Sequence, residues 1–127
     1  MSTLPENLRV GVDSIDMRHE EFWSLFEKLV SVDDADFISV FEGLIEHTKG
    51  HFAEEEADMA GVAYANKYEH EKEHQKALDE MNYFMDKAKS GKLFFAKAYA
   101  KDRLGDWFRT HLLNMDSDLA RVLRASC

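Results

Sequence analysis

Apolar side chains recur every three or four residues in four separate stretches of this sequence, which is the spacing of one face of an α-helix. None of the stretches shows the strict alternation of a half-buried β-strand. A single proline in 127 residues leaves long helices uninterrupted. We therefore predict an all-α fold, an up-down-up-down antiparallel four-helix bundle with short connections. The four inward faces are predicted to carry Ile15, His19, Phe22, Phe26, Leu29 and Val30; Phe37, Phe41, Leu44, Thr48, His51, Phe52, Glu55 and Met59; His70, His74, Ala77, Leu78, Met81 and Met85; and Leu104, Trp107, Phe108, His111, Met115, Leu119 and Val122.

Capping and breaking residues separate the four stretches. Asn66 and Glu69 resemble a capping box at the start of the third helix. Gly61 is predicted to end the second helix by taking the left-handed conformation. The other boundaries are predicted at Asp33-Asp34, at Ser90-Gly91 and, for the fourth helix, at about Leu93 and Ala125.

Length and charge restrict the classes of protein to which the chain can belong. With 45% hydrophobic and 32% charged residues, positions 1–127 are predicted to form a single globular domain. A net charge of −9 argues against nucleic acid and anionic membranes as partners, since both attract basic surfaces. No apolar run reaches the roughly 20 residues of a membrane span, and the amino terminus lacks a secretory signal. The one cysteine, Cys127, permits no internal disulfide, so a reducing, cytoplasmic location is predicted.

Five of the six histidines lie on the inward faces of the predicted helices. A lone histidine on such a face is more often a hydrogen-bonded core residue than a ligand, but here each of the four helices contributes at least one. Imidazoles and carboxylates in this number and type suit a non-haem diiron centre. Residues one helical turn apart point the same way, as in the pairs His51–Glu55 and His70–His74. The candidate ligands are His19, His51, Glu55, His70, His74, His111 and Asp116.

Two other kinds of metal site share parts of this pattern. The segment HEKEH, from His70 to His74, matches the HExxH motif of zinc proteases, but so short a motif arises readily on a charged helix. A ferritin-like carboxylate site needs two Glu-x-x-His pairs. Glu71 with His74 fits that requirement, whereas Asp16 with His19 is only approximate. We disfavour the zinc-protease alternative because no GxxH follows the motif and a helical chain of 127 residues leaves little room for a substrate cleft. We disfavour the ferritin-like alternative because it leaves His51, His70 and His111 without a role.

Longer segments of the chain resemble the hemerythrin family. They are VGVDSIDMRH at Val10 to His19, HTKGHFAEEEADM at His47 to Met59, YEHEKEH at Tyr68 to His74, and WFRTHLLNMDSDL around His111. The resemblance extends over almost the whole chain, in matching order and approximate spacing, and is greatest to the single-domain bacterial hemerythrins. It implies an up-down four-helix bundle, as in the related myohemerythrin.

The resemblance also implies a cofactor of two iron ions joined by an oxo or hydroxo group. One iron would be bound by the three histidines His70, His74 and His111. The other would be bound by the two histidines His19 and His51. Glu55 and Asp116 would bridge the two metals. The second iron, which has one histidine fewer, would keep one position open for dioxygen.

Some of these assignments rest on the family pattern rather than on helix geometry. Asp116 follows His111 by five residues, roughly 140° around an ideal helix, whereas Asp118 would be nearly in line. The family motif HxxxxD selects Asp116, so we predict a local bulge or a long side-chain reach between the two residues. The pattern HFxxEE likewise selects Glu55 among three consecutive glutamates. His47 has no assigned role and is predicted to be exposed.

The expected function is reversible dioxygen binding for carriage or storage, without enzymatic activity. Sensing of oxygen, redox state or nitric oxide is an alternative, disfavoured because no signalling domain is recognised in the sequence. A peroxide-handling diiron enzyme is a further alternative. Dioxygen is the expected partner, and no protein partner is indicated. The predicted walls of a dry oxygen pocket are Phe22, Trp23, Trp107, Phe108 and Leu112.

Overall fold

The computed structural model describes residues 4–125, so Cys127 lies outside the described part of the chain. A short 3-10 turn, Glu6–Leu8, precedes three uninterrupted helices, α1 (Asp13–Ser31), α2 (Asp34–Gly61) and α3 (Lys67–Lys89). A fourth helical run, α4, extends over residues 93–125 and packs against α3. In the described residues there is no strand, and no helix has the length and apolar character needed to cross a membrane. The predicted all-α antiparallel four-helix bundle is confirmed.

Helix α4 is not regular along its length. Its α-helical segments are Leu93–Tyr99, Gly105–His111 and Ser117–Ala125, and π-helical turns separate them at Ala100–Leu104 and Leu112–Asp116. In the second π turn the Ser117 N–H donates to the Leu112 carbonyl, five residues earlier. A π turn inserts one residue into the helical repeat and so changes which side chains share a face. The bulge that we predicted between His111 and Asp116 is therefore present.

Two helix boundaries lie where the sequence predicted them, but the predicted capping interactions are not the ones that form there. Helix α2 ends at Gly61, yet the left-handed residue is Ala63, with a φ of 51°. Asn66 precedes α3, but its side chain caps no backbone N–H of that helix. The Asn66 amide instead donates to Asp118 Oδ2 at 3.3 Å, so the predicted capping box was wrong. After α3, Gly91 takes a φ of 88° and turns the chain into α4.

The apolar core fills one end of the bundle. It lies where the end of α1 and the start of α2 meet the end of α3 and the start of α4, around Phe41 and Met81, which are fully buried. Leu29 is 1% exposed, whereas Val30, which we predicted to face inward, is 44% exposed. Only one of two adjacent helical residues can point directly at the core, because they are about 100° apart. The buried polar residues lie toward the opposite end, where Met59, Tyr64 and Leu119 form a second, smaller apolar cluster.

Replacing Gly91 and Gly43 by alanine should change stability in opposite directions. The φ of Gly91 is 88°, and a Cβ in this conformation costs roughly 1–2 kcal/mol, so Gly91→Ala should lower the free energy of unfolding by about 1 kcal/mol. Gly43 lies inside α2 with open space where a Cβ would stand. Gly43→Ala should therefore raise the free energy of unfolding by about 0.5–1 kcal/mol. Urea denaturation measures both changes, and a less stable Gly43→Ala variant would contradict this structure.

Candidate metal centre

The antiparallel topology brings six of the seven predicted ligands together at the polar end of the bundle. In such a bundle, residues early in α1 and α3 meet residues late in α2 and α4. All six side chains are buried, with exposed fractions of 5% or less. They are His19 on α1, Glu55 on α2, His70 and His74 on α3, and His111 and Asp116 on α4.

Five of these side chains direct ligand atoms at one another. Each of the residues Glu55, His70, His74, His111 and Asp116 offers a nitrogen or oxygen atom within 4.8 Å of those of the other four. The Nε2 atom of His70 lies 2.7 Å from Glu55 Oε1 and 2.9 Å from Asp116 Oδ1. The Nε2 atom of His74 lies 3.0 Å from Glu55 Oε1, and that of His111 lies 3.1 Å from Asp116 Oδ1. Three imidazoles and two carboxylates thus surround one small volume.

Protons alone do not satisfy this set of atoms. The Nε2 atoms of His70 and His111 are 3.2 Å apart, so two protons placed on them would repel each other. If a proton moves to Nδ1 of either ring, it meets no hydrogen-bond partner within residues 4–125. A divalent cation would accept all the inward lone pairs and balance the charge of the two buried carboxylates. Nitrogen and carboxylate ligands in this combination fit a transition metal such as iron.

The side chains of the cluster hold charges of both signs. Burial and the Asp116 charge oppose ionisation of Glu55, yet hydrogen bonds from the histidines lower its pKa to about 2. Against burial, the charge and hydrogen bond of His111 hold the pKa of Asp116 well below its ordinary value. The carboxylates in turn overcome burial to raise the pKa of His70 to about 9 and that of His111 to about 10. Both carboxylates are therefore ionised at neutral pH, and a metal that binds must displace protons from imidazoles.

The π turn in α4 directs Asp116 into the bundle. Its Oδ1 atom lies 2.9 Å from His70 Nε2, and its Oδ2 atom lies 2.8 Å from His19 Nε2. The two oxygens of one carboxylate therefore face imidazoles on two sides, as a ligand shared by two metal ions must. Asp118, which an ideal helix would favour, instead accepts a hydrogen bond from the Tyr64 hydroxyl.

The seventh predicted ligand, His51, is not part of the buried cluster. Its Nε2 atom lies 3.4 Å from Glu21 Oε2, and its ring centroid lies 5.9 Å from that of His47. The His51 side chain is 14% exposed, and its partial burial lowers its pKa, so the imidazole is neutral at neutral pH. His47 is exposed, as predicted. The structure thus places His51 between the interior and the surface.

A cavity of about 30 Å³ adjoins the cluster and is bordered by both His19 and His51. This volume accommodates a molecule the size of water or a diatomic gas. Trp23 and Leu112, two of the five predicted walls, do not line the cavity, and Trp23 packs instead on the Phe108 ring with centroids 5.9 Å apart. The aromatic residues that line it are Phe22, Phe52, Trp107 and Phe108.

Two contacts that orient His74 were not predicted from the sequence. The Phe52 ring stacks on the His74 ring with centroids 3.8 Å apart and an interplanar angle of 2°. On the other edge of the ring, His74 Nδ1 lies 3.0 Å from Glu56 Oε2. A carboxylate at Nδ1 holds the proton there and leaves the Nε2 lone pair for a metal. The only sequence signal for Glu56 was its place beside Glu55 in a run of three glutamates.

The carboxylates required by the ferritin-like alternative are engaged elsewhere. Glu71 Oε2 lies 2.6 Å from Lys67 Nζ at the start of α3. Asp16 accepts backbone hydrogen bonds from Val10 at 2.8 Å and from Gly11 at 3.2 Å, which fasten the segment before α1. Neither side chain is among those that converge on the cluster in residues 4–125. Because Glu71 pairs with Lys67, it is also not placed to act as the catalytic base of an HExxH protease.

Exchanging the two aspartates of α4 for asparagine tests the effect of the π turn. Asp116→Asn removes a carboxylate from the cluster, and we expect the affinity for a divalent metal to fall by about tenfold or more. Asp118→Asn makes the same chemical change outside the cluster and should leave metal content unchanged. Metal per chain, measured after loading and desalting, decides between them. Equal metal content in the two variants would contradict the assignment of Asp116.

Comparison with known proteins agrees with this geometry. A family model described as the hemerythrin HHE cation binding domain matches residues 10–123. The chain is 30% identical over 111 residues to a bacteriohemerythrin from Ralstonia nicotianae, an alignment that covers 87% of this chain and 80% of the relative. No solved structure was found to match the chain. Because the family model spans nearly the whole sequence, the chain belongs to the hemerythrin family.

Proposed function

We propose that the protein binds dioxygen reversibly at a pair of iron ions. The observation that carries this proposal is the position of Asp116, whose two carboxylate oxygens reach the imidazoles of His70 and His19 on two sides. One metal ion would use only one of these sides. A second ion beside His19 would adjoin the small cavity, where a diatomic ligand fits. Membership of the hemerythrin family supports iron as the metal.

The ligands divide into two sets. One iron would be held by His70, His74 and His111, the other by His19 and His51, and both by Glu55, Asp116 and an oxo or hydroxo group. The Glu55 Oε1 atom lies 2.7 Å from His70 Nε2 and 3.0 Å from His74 Nε2, which supports its assignment to the first iron. Glu55 also borders the cavity with His19 and His51, which supports its assignment as a ligand shared with the second iron. His51 borders the same cavity as His19, which supports its assignment to the second iron.

The chain controls what reaches the site. When bound, the two irons supply the electrons with which dioxygen is held. The aromatic walls exclude water and acids that would otherwise convert bound oxygen irreversibly. The Thr48 hydroxyl, which also borders the cavity, is committed to the Leu44 carbonyl at 2.7 Å. Arg18 borders it too, but its guanidinium pairs with Asp58 at 2.8 Å.

We further propose that the protein carries or stores oxygen and is not an enzyme. The small size of the cavity, about 30 Å³, suits dioxygen better than an organic substrate, which supports oxygen binding over oxygenation of such a substrate. The alternatives from the sequence are a sensor of oxygen, redox state or nitric oxide and a peroxide-handling enzyme, and both would use the same site. A cytoplasmic location also stays a prediction from composition.

Oxygen titration of the reduced, iron-loaded protein tests this function. We expect roughly two irons per chain and a visible absorption band that forms with oxygen and disappears when oxygen is removed. Slow autoxidation would favour carriage or storage, rapid autoxidation would favour sensing, and sustained peroxide turnover would favour an enzyme. A protein that purifies and reconstitutes with zinc alone, or with no metal, would refute the proposal.

Two histidine variants test the ligand assignment. His74→Ala removes an imidazole that Phe52 and Glu56 hold in place, so we expect it to abolish loading of the iron pair. His47→Ala removes an exposed imidazole outside the cluster and should leave the final iron content nearly unchanged. Iron per chain at saturation is the measurement, and equal losses in both variants would overturn the assignment.

A further inference from the structure

A second group of metal-binding side chains lies between α1 and α2, outside the buried cluster. Glu21, His47 and His51 each offer a ligand atom within 4.8 Å of those of the other two. His47 and His51 are one turn apart on α2, with ring centroids 5.9 Å apart, and Glu21 approaches His51 from α1 at 3.4 Å. Glu21 and His47 are exposed. Water therefore reaches this group directly.

The donor atoms of this outer group suit a divalent transition metal. Two imidazoles and one carboxylate on one side of an ion leave its remaining positions to water, an arrangement that Fe²⁺ accepts in many proteins. At 3.4 Å, the distance between His51 Nε2 and Glu21 Oε2 is long for a hydrogen bond. The gap instead leaves room for a small ion to be bound by both atoms after a slight adjustment of exposed side chains.

His51 connects this outer group to the buried centre. The potential metal ligands that border the cavity are His19, His51, Glu55, His111 and Asp116. Within residues 4–125, His51 is the one of these five that is partly exposed, whereas the other four are 5% exposed or less. An ion that moves from solvent to the second iron position would therefore bind His51 first, and His51 could stay bound to the ion while it moves inward.

We propose that Glu21, His47 and His51 form an outer divalent-cation site through which Fe²⁺ enters the buried centre, with His51 as the ligand common to both. This inference rests on the proposed diiron function. It gives His47 a role that the buried centre does not require. Because His51 serves one site at a time, the outer site is complete only before the second iron position is filled.

The rate of iron loading tests this route. Metal-free protein is mixed anaerobically with Fe²⁺, and quenching of tryptophan fluorescence reports arrival, because the Trp107 ring lies 4.9 Å from that of His111. We expect His47→Ala and Glu21→Gln to load about 10–100-fold more slowly at low Fe²⁺, by analogy with the loss of a supporting residue at other metal sites. Both variants should still reach the wild-type iron content.

Glu46→Gln is the matched control, since Glu46 is exposed on the same helix and pairs only weakly, at 3.4 Å, with Lys49. It should load at the wild-type rate. Wild-type rates in His47→Ala and Glu21→Gln would overturn the outer site. Equal slowing in Glu46→Gln would also overturn it, because the effect would then come from surface charge in general.

A zinc titration separates failure of the outer site from failure of the diiron function. In a His74→Ala background, Zn²⁺ affinity measured by calorimetry should fall about tenfold or more when His47→Ala is added. If the wild-type protein loads two irons but neither zinc affinity nor loading rate depends on His47, the outer site is refuted and the function stands. If zinc affinity depends on His47 but iron never loads, the outer site stands as a cation site and the diiron function fails.

Discussion

Two carboxylates buried in the interior of a helical bundle are the constraint on which the rest of this structure depends. Glu55 and Asp116 are 4% and 3% exposed, and an ionised carboxylate without compensation at such a depth is strongly destabilising. The compensation comes from imidazoles on α1, α3 and α4. An imidazolium, unlike a guanidinium, gives up its proton when a metal binds, so the same side chains that compensate the carboxylates can also become metal ligands.

The apolar core and the cluster of potential metal ligands lie at different positions along the bundle. One end is filled by apolar and aromatic side chains around Phe41 and Met81, which form the larger of two apolar clusters in the described residues. The other end gathers ligands from all four helices, because the antiparallel order places the starts of α1 and α3 beside the ends of α2 and α4. A single π turn then rotates Asp116 into the cluster and leaves Asp118 outside it.

Helical periodicity predicted the four helices and the inward position of most ligands, because the buried residues of a helix recur every three or four positions in the sequence. Periodicity does not determine whether a side chain at the border between the buried and the exposed side of a helix points inward or outward. His51 lies on the predicted face of α2, yet its ring meets Glu21. Asp116 was assigned only through the family motif, since a π turn breaks the period on which the analysis relied. The stacking of Phe52 on His74 depends on the rotation of α2 against α3, which no local pattern encodes.

We propose above all that the buried histidines and carboxylates of this bundle hold a pair of metal ions. Anomalous X-ray scattering at the iron edge, from crystals of the loaded protein, tests it most directly. The account predicts two iron peaks, one beside the Nε2 atoms of His70, His74 and His111 and the other beside His19, with Asp116 contacting both. A single peak, or none within the cluster, would contradict it.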